Sequence, residues 1–317
     1  MKLDPSSQLS LSIQQFDAFI LQHWKQPSRL ASTSPEALWQ QALNDNGWNV
    51  PDWPVDLGGT NWTPMQRYHW YQATCRAACP QGDILAKELI GPLLFNFARP
   101  QQMGYLNGIR TGSDTWGLAR VNKDLQINPI YLPATATKLM IVFEQAPSQS
   151  SLMIVQYPQR ILNQAGTPQL SKAWERLGKA KQAHTMMTAI QLKHQPIAAI
   201  CRTAGAIEHL QPLLDQPNST SLERKAFSEI LIAQQSAEVY CQRLLSNREQ
   251  QKLLLITRAA RKIMHKIRDL NQSLAGYYGL TDAQQPGENS KSQLTESAIT
   301  DPFEYCEPLD LFDSFAE

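Results

Sequence analysis

The chain has 317 residues, 42% of them hydrophobic, enough for one large domain or two to three smaller ones with sizeable cores. Lys+Arg 29 against Asp+Glu 28 leaves a formal charge of +1, so no global field gathers nucleic acid or an anionic membrane surface. No run approaches the roughly 18 apolar residues of a membrane span, and MKLDPSSQLS lacks the basic start and apolar stretch of a signal peptide, so a cytoplasmic protein is expected.

Ile13, Phe16, Ile20 and Trp24 recur every three to four residues and predict a first helix, ended by Pro27. Ser34 and Pro35 read as the N-cap and first position of a second helix, with Leu38, Ala42 and Leu43 inward and a stop at Asn46-Gly47. The prolines and glycines of GWNVPDWPVDLGG, residues 47 to 59, forbid a regular element, so an ordered loop pinned by Trp48 and Trp53 is expected. Thr63-Pro64-Met65-Gln66 has the form of a capping box and opens a third helix that runs to Cys79-Pro80. Two short helices follow, one from Asp83 to Ile90 stopped by Gly91-Pro92, the other from Pro100 toward Gly108.

From Thr115 the period changes. TWGLARV, KLMIVFE and SLMIVQY are short apolar runs bounded by Pro, Ser and Gln, as buried strands are. Helical patterning returns near Ser171. Pro196 opens a helix with Ile197, Ile200, Ala204 and Ile207 inward, and the next carries Ala226, Ile230, Ala233, Ala237 and Leu244 on one face. The last places Leu253, Ile256, Ala260, Ile263, Ile267, Leu270 and Leu274 along a bundle seam. After Gly279 the chain turns polar and reads as a linker. The expected fold is mainly α with a small β insert: an N-terminal helical domain (1–114), a reduced β-sheet domain (115–168), a C-terminal four-helix bundle (169–280) and a flexible acidic-aromatic tail (281–317).

Five cysteines without a C-x-x-C pair suit reduced thiols. Cys75 and Cys79 share a helix face near His69, but two small core residues explain them better than a metal site, and none is expected. His184, His194 and His209 lack metal spacing. Arg258, Arg261, Lys262, His265, Lys266 and Arg268 lie on the last helix opposite its seam, as a solvated face does, or as a surface for CoA phosphates, RNA or an acidic partner would. The tail DPFEYCEPLDLFDSFAE holds six acidic residues and no basic ones between Phe303, Tyr305, Leu309, Leu311, Phe312 and Phe315. That composition fits a segment that orders on a protein partner, or a plain disordered end.

The order of helical domain, small sheet and helical bundle resembles the acyl-CoA dehydrogenase family, and the loops make the likeness specific. LWQQALNDNGWNVPDWPVDLGG is similar to that family's N-terminal signature, in which a helix ends in Gly-Trp, passes a Pro-Trp-Pro turn and reaches a Gly-Gly pair. IGPLLFNFARPQQMGYLNGIRTGSDTWGLARV, residues 90 to 121, is similar to the stretch before the family's first strand. AWERLGKA resembles the start of its C-terminal bundle, and LAGYYGLTD resembles its Gly-Tyr-Gly turn. The chain departs where the family lines its flavin. Arg120-Val121-Asn122-Lys123 stand in place of the Ser/Thr-Glu-Pro turn and Gly-Ser-Asp segment, and nothing between Leu125 and Gly166 matches the Trp-Ile-Thr/Ser strand.

The resemblance implies FAD, an acyl-CoA-type substrate and an FAD-dependent oxidation of the CH-CH group of an acyl thioester. It also implies a homo- or hetero-oligomer built through the C-terminal bundle. The base for such chemistry is a carboxylate in a dry pocket, where desolvation raises its pKa toward the working range. The family's late Tyr-Glu-Gly-Thr turn is missing, and by the placement some members use, Glu175 in AWERL becomes the catalytic candidate. A solvated first-turn charge at a helix N-terminus is the plain reading of the same residue. Trp116 and Arg120 on the first strand are the flavin-binding candidates, for ring and pyrophosphate, against a core anchor and a surface cation. Two functions stand side by side: an acyl-CoA dehydrogenase-like flavoprotein, and a non-catalytic scaffold or partner subunit of a full-length dehydrogenase.

Overall fold

The structure, a computed structural model, describes residues 5–25, 34–123, 127–146, 149–156, 174–179, 182–183, 185–187, 196–215, 219–246 and 252–281. His184, His194, Cys306, the linker and the tail lie outside them. Helices α1 (Pro5–Ile20), α2 (Pro35–Asn46), α3 (Pro64–Arg76), α4 (Gly91–Phe97) and α5 (Tyr105–Thr111) precede strands β1 (Trp116–Val121), β2 (Ile127–Tyr131), β3 (Lys138–Ala146), β4 (Gln149–Gln156) and β5 (Trp174–Leu177). Helices α6 (Pro196–Leu214), α7 (Ser221–Ser246) and α8 (Leu253–Thr281) follow.

The local signals for α2 and α3 hold. Ala37 N donates to Ser34 Oγ at 3.2 Å. Gln66 N donates to Thr63 Oγ1 at 3.3 Å while Thr63 N donates to Gln66 Oε1 at 2.8 Å, closing the capping box. Two local readings differ. Gly91-Pro92 does not stop the chain: a π-turn over Ala86–Ile90 leads straight into α4. The wider turn accommodates a proline that has no N–H to give and whose ring crowds a regular α-helix. WERL forms β5 instead of opening a helix, because its residues pair with β4 from Trp174↔Val155 to Leu177↔Leu152.

The helices sort by contact, not by chain order. One compact unit holds the described residues of 5–38, 62–80 and 196–281, and the other those of 39–61 and 81–187. In the first, α3 packs against α6 and α7, α8 packs against α6 and α7, and α1 lies on α3. Helix α3 joins α6, α7 and α8 as the fourth member of this group. Tyr68, Ile200, Ile207, Leu210, Ile230, Cys241, Ile263 and Ile267 share this core. Ile256, Ala260, Ile263, Ile267 and Leu270 are buried along α8, as the seam predicted. Arg258, Lys262, His265 and Lys266 face solvent. No described helix is long and apolar enough to cross a membrane.

The second unit is built on a five-stranded mixed sheet of order β2-β1-β3-β4-β5, with β1 and β3 parallel and the other neighbours antiparallel. Side chains alternate across it. Trp116, Leu118, Met140, Val142, Leu152, Ile154 and Leu177 join Leu89, Ile90, Leu93 and Leu94 of the helical layer in one core. Ala119, Val121, Leu139, Ile141 and Val155 form a smaller cluster on the opposite face.

Trp53, 3% exposed, holds the Pro-Trp-Pro turn against this layer. Its Nε1 donates to the Lys87 carbonyl at 2.8 Å, and its ring meets Phe95 edge-on at 5.8 Å. A Cβ at Gly91 would collide with the Trp53 ring and one at Gly59 with the Trp53 carbonyl, so both positions need glycine for close approach.

Candidate functional site

The register places the three expected site residues on the helix-covered face of the sheet. Trp116 and Arg120 alternate with Leu118 along β1, and Glu175 lies beside Ile154, which pairs with Met140, which pairs with Leu118. They share a face but are not brought together.

Trp116 is 0% exposed, and its ring takes the edge of Tyr105 at 5.9 Å and 86°. Its backbone N donates to Asp83 Oδ2 at 2.6 Å, while its Nε1 has no hydrogen-bond acceptor among the described residues. Arg120 Nε lies 2.9 Å from Glu144 Oε1, with both side chains largely buried. Burial raises the Glu144 carboxyl above its ordinary value, and Arg120 pulls it partly back. Glu175, on the edge strand β5, is exposed and accepts a hydrogen bond from the Tyr105 hydroxyl at 2.9 Å.

The sequence reading missed the polar groups that organise this region. Asp83 accepts from the backbone of Ala86 at 2.9 Å as well as from that of Trp116, and burial raises its carboxyl pKa against those donors and Lys87. Lys87 Nζ donates to Asn49 Oδ1 at 2.7 Å and to the Gln81 carbonyl at 2.9 Å; burial lowers its pKa to about 8. Lys138 Nζ pairs with Asp114 at 2.8 Å and sits over the Tyr105 ring at 5.8 Å. Tyr105 therefore joins Glu175, Lys138 and the Trp116 ring. Only the i, i+4 spacing of Asp83 and Lys87 hinted at any of this.

The flavin implied by the family likeness can be tested against these side chains. An isoalloxazine needs an exposed aromatic or apolar wall, and a pyrophosphate needs a cation or N–H donors directed at it. The Trp116 faces are enclosed by the core, the Arg120 charge is matched by Glu144, and Arg120-Val121-Asn122-Lys123 carries neither hydroxyl nor carboxylate. In this arrangement Trp116 and Arg120 do not fit the group.

Elsewhere, the first unit has an open groove of ≈ 580 Å³ lined by α1, α3 and α6, with Phe16 and Ile20 on its floor and the Arg76–Glu208 ion pair at its rim. None of the expected site residues lines it. Cys75, Cys79, Cys201 and Cys241 are buried and form no disulfide, with burial pushing Cys79 and Cys241 up to about 12 and Cys201 well above its ordinary value. Among the described residues no cluster of three or more His, Cys, Asp or Glu can hold a metal.

No family's sequence pattern matches the chain, and no curated protein matches it by sequence. Solved structures do match. The Tcur3481-Tcur3483 steroid ACAD superimposes with a TM-score of 0.62 at 15% identity, over 100% of this chain and 97% of that one. An acyl-CoA dehydrogenase from Geobacillus kaustophilus gives 0.61 at 13% identity, over 99% and 97%. The ChsE4-ChsE5 complex from Mycobacterium tuberculosis gives 0.58 at 12% identity, over 100% and 98%. Superposition over the whole length of the chain, despite so little identity, shows that this chain has the acyl-CoA dehydrogenase fold.

Proposed function

We propose that this chain is a non-catalytic subunit of an acyl-CoA dehydrogenase-type assembly, one that supports or positions a catalytic chain of the same fold. The observation that carries the reading is the state of Glu175. It sits on an edge strand in water, tied to Tyr105, and the base for this chemistry must be dry to reach a working pKa. The engagement of Trp116 in the core and of Arg120 with Glu144 supports the same reading. Among the structures with this fold, the ChsE4-ChsE5 one is a complex of two proteins, which supports assembly with another chain. The bundle helices, with their exposed apolar residues, are the surface for it.

Co-expression with an acyl-CoA dehydrogenase encoded in the same genome tests this. A stable mixed complex, whose catalytic chain loses yield or activity without this one, is the expected result. A chain that binds no such protein sinks the reading.

A second reading has one observation in its favour. The Trp116 indole N–H is a fully buried donor with no acceptor among the described residues, on the sheet face that also carries Arg120 and Glu175. An FAD-dependent oxidoreductase of acyl thioesters, with Glu175 as base and with Trp116 and Arg120 at the cofactor, would use that face. Such a protein would purify yellow.

A further inference from the structure

The acidic-aromatic tail repeats a three-residue pattern. DPF, EYC, EPL, DLF and DSF, residues 301 to 315, each open with an acid and close with Phe, Cys or Leu, and Pro302 and Pro308 fall at middle positions. A polyproline II chain has three residues per turn, so a segment with this repeat carries its carboxylates along one edge and its apolar side chains along the next. No Lys or Arg lies among residues 301–317 to neutralise the acids.

A surface with two matching rows lies on α7 and α8. Lys266 Nζ is 3.8 Å from Glu229 Oε2, and Ser273 Oγ donates to Glu223 Oε1 at 2.7 Å, so the helices run antiparallel and Leu255 comes level with Tyr240. Leu255 is 49% exposed, Tyr240 38% and Ile232 65%. At about 100° per residue, Tyr240 lies about 20° and Ile232 about 60° from Glu229 around α7, and Leu255 about 20° from Lys266 around α8. All three therefore turn toward the outer furrow between the helices. Arg243, Arg258 and Lys262, exposed beside this apolar row, have no carboxylate within ion-pair distance among the described residues. The acids nearby are Asp269, beyond Lys266, and Glu229, whose pair with Lys266 is more than half exposed on both sides and weak.

The length of chain fits as well. Helix α8 ends at Thr281, about 29 Å along its axis from Lys262, and a coil the length of residues 282–300 spans about 25 Å.

We propose that residues 301–317 dock in cis on this face, with the carboxylates of the repeat on Arg243, Arg258 and Lys262 and its apolar side chains over Leu255, Tyr240 and Ile232. Charge complementarity selects the face, and a tether of this length, at an effective concentration of about millimolar, lets a weak contact fill it. The inference does not rest on the subunit reading; where both hold, a catalytic chain that assembles on these residues displaces the tail.

Cys306 lies inside the repeat and the other four cysteines are buried, so its alkylation by iodoacetamide reports docking in the full chain. The reference is a synthetic peptide of residues 301–317, which carries the same charges around the thiol. Cys306 of the wild type reacts at least about tenfold more slowly than the peptide, a docking equilibrium of about 1.4 kcal/mol, at a ratio independent of protein concentration. Arg258→Glu with Lys262→Glu, both at exposed positions, raises the rate to that of the peptide, and adding Asp310→Lys with Asp313→Lys restores the protection. Equal rates in wild type and peptide overturn the proposal. So does protection that survives the two α8 substitutions, or that grows with protein concentration and so marks the tail of a second copy as the occupant. A chain whose Cys306 reacts freely yet co-purifies with a dehydrogenase overturns the docking and leaves the proposed function standing.

Discussion

The Trp53 indole donates its N–H to the main-chain carbonyl of Lys87 at 2.8 Å, while the Lys87 ammonium reaches back to Asn49, four residues before that tryptophan. The pair fastens the Pro-Trp-Pro loop to the helical layer beneath the sheet, with Gly59 and Gly91 pared to hydrogen so that the ring fits.

Trp53→Ala removes the ring and leaves the Lys87 carbonyl without its donor. A loss of about 3–5 kcal/mol is expected in urea unfolding of the purified chain. Gly91→Ala, which adds only a methyl group, is also expected to destabilise, by about 1–3 kcal/mol, because the methyl meets the indole.

The Lys87 ammonium titrates at about 8 in the folded chain, below its ordinary 10.5, because burial penalises the charge. A depressed folded pKa means that the folded state holds fewer protons than the unfolded one between those two values, so Lys87 adds stability as pH rises from about 8 toward 10.5. The full gain is about 3 kcal/mol. Cys79 and Cys241 act in the opposite direction: raised to about 12, their contribution declines as pH climbs through that value. Subtracting the unfolding free energies of Lys87→Met from those of the wild type cancels the thiols. The difference should move in favour of the wild type from pH 7.5 to 9, and a flat difference contradicts the assignment.

Arg120 and Glu144 form a largely buried pair, so removing one member strands the other. Arg120→Ala is expected to cost about 1–3 kcal/mol. The double change Arg120→Leu with Glu144→Leu should recover most of that stability, which double-mutant unfolding measures directly.

Tyr105→Phe removes an exposed hydrogen bond, and Glu175→Gln leaves an acceptor in place but takes away its charge. Each should shift stability by less than about 0.5 kcal/mol. Glu175→Gln should also leave the activity of a co-assembled catalytic chain unchanged, as a steady-state assay of the complex would show.

Capping and seam positions were legible in the sequence because their signals are local. Thr63 with Gln66, and Ser34 with Pro35, announce helix starts within four residues, and Ile256 to Leu270 carry the α8 period on their own chain. The misread elements depend on context that their own residues do not carry. Gly91-Pro92 looks like a stop until the π-turn before it is seen, and WERL is a strand only because β4 offers it an edge. For the same reason α3 could not be recognised as the fourth bundle helix, since its partners lie more than a hundred residues away. At the site, the plain reading of Trp116 as a core anchor matches its burial, whereas Arg120 gains a carboxylate partner from β3 that no local pattern announces. Lys87 has the sequence look of a surface lysine, and its burial follows from a loop folded over it.

The absorbance spectrum of the purified chain, recorded before and after incubation with FAD and an acyl-CoA, tests the central claim most directly. A subunit whose candidate cofactor residues are engaged in the core and in an ion pair shows no flavin bands and retains none after desalting. Stoichiometric flavin that bleaches on adding the thioester would contradict the account.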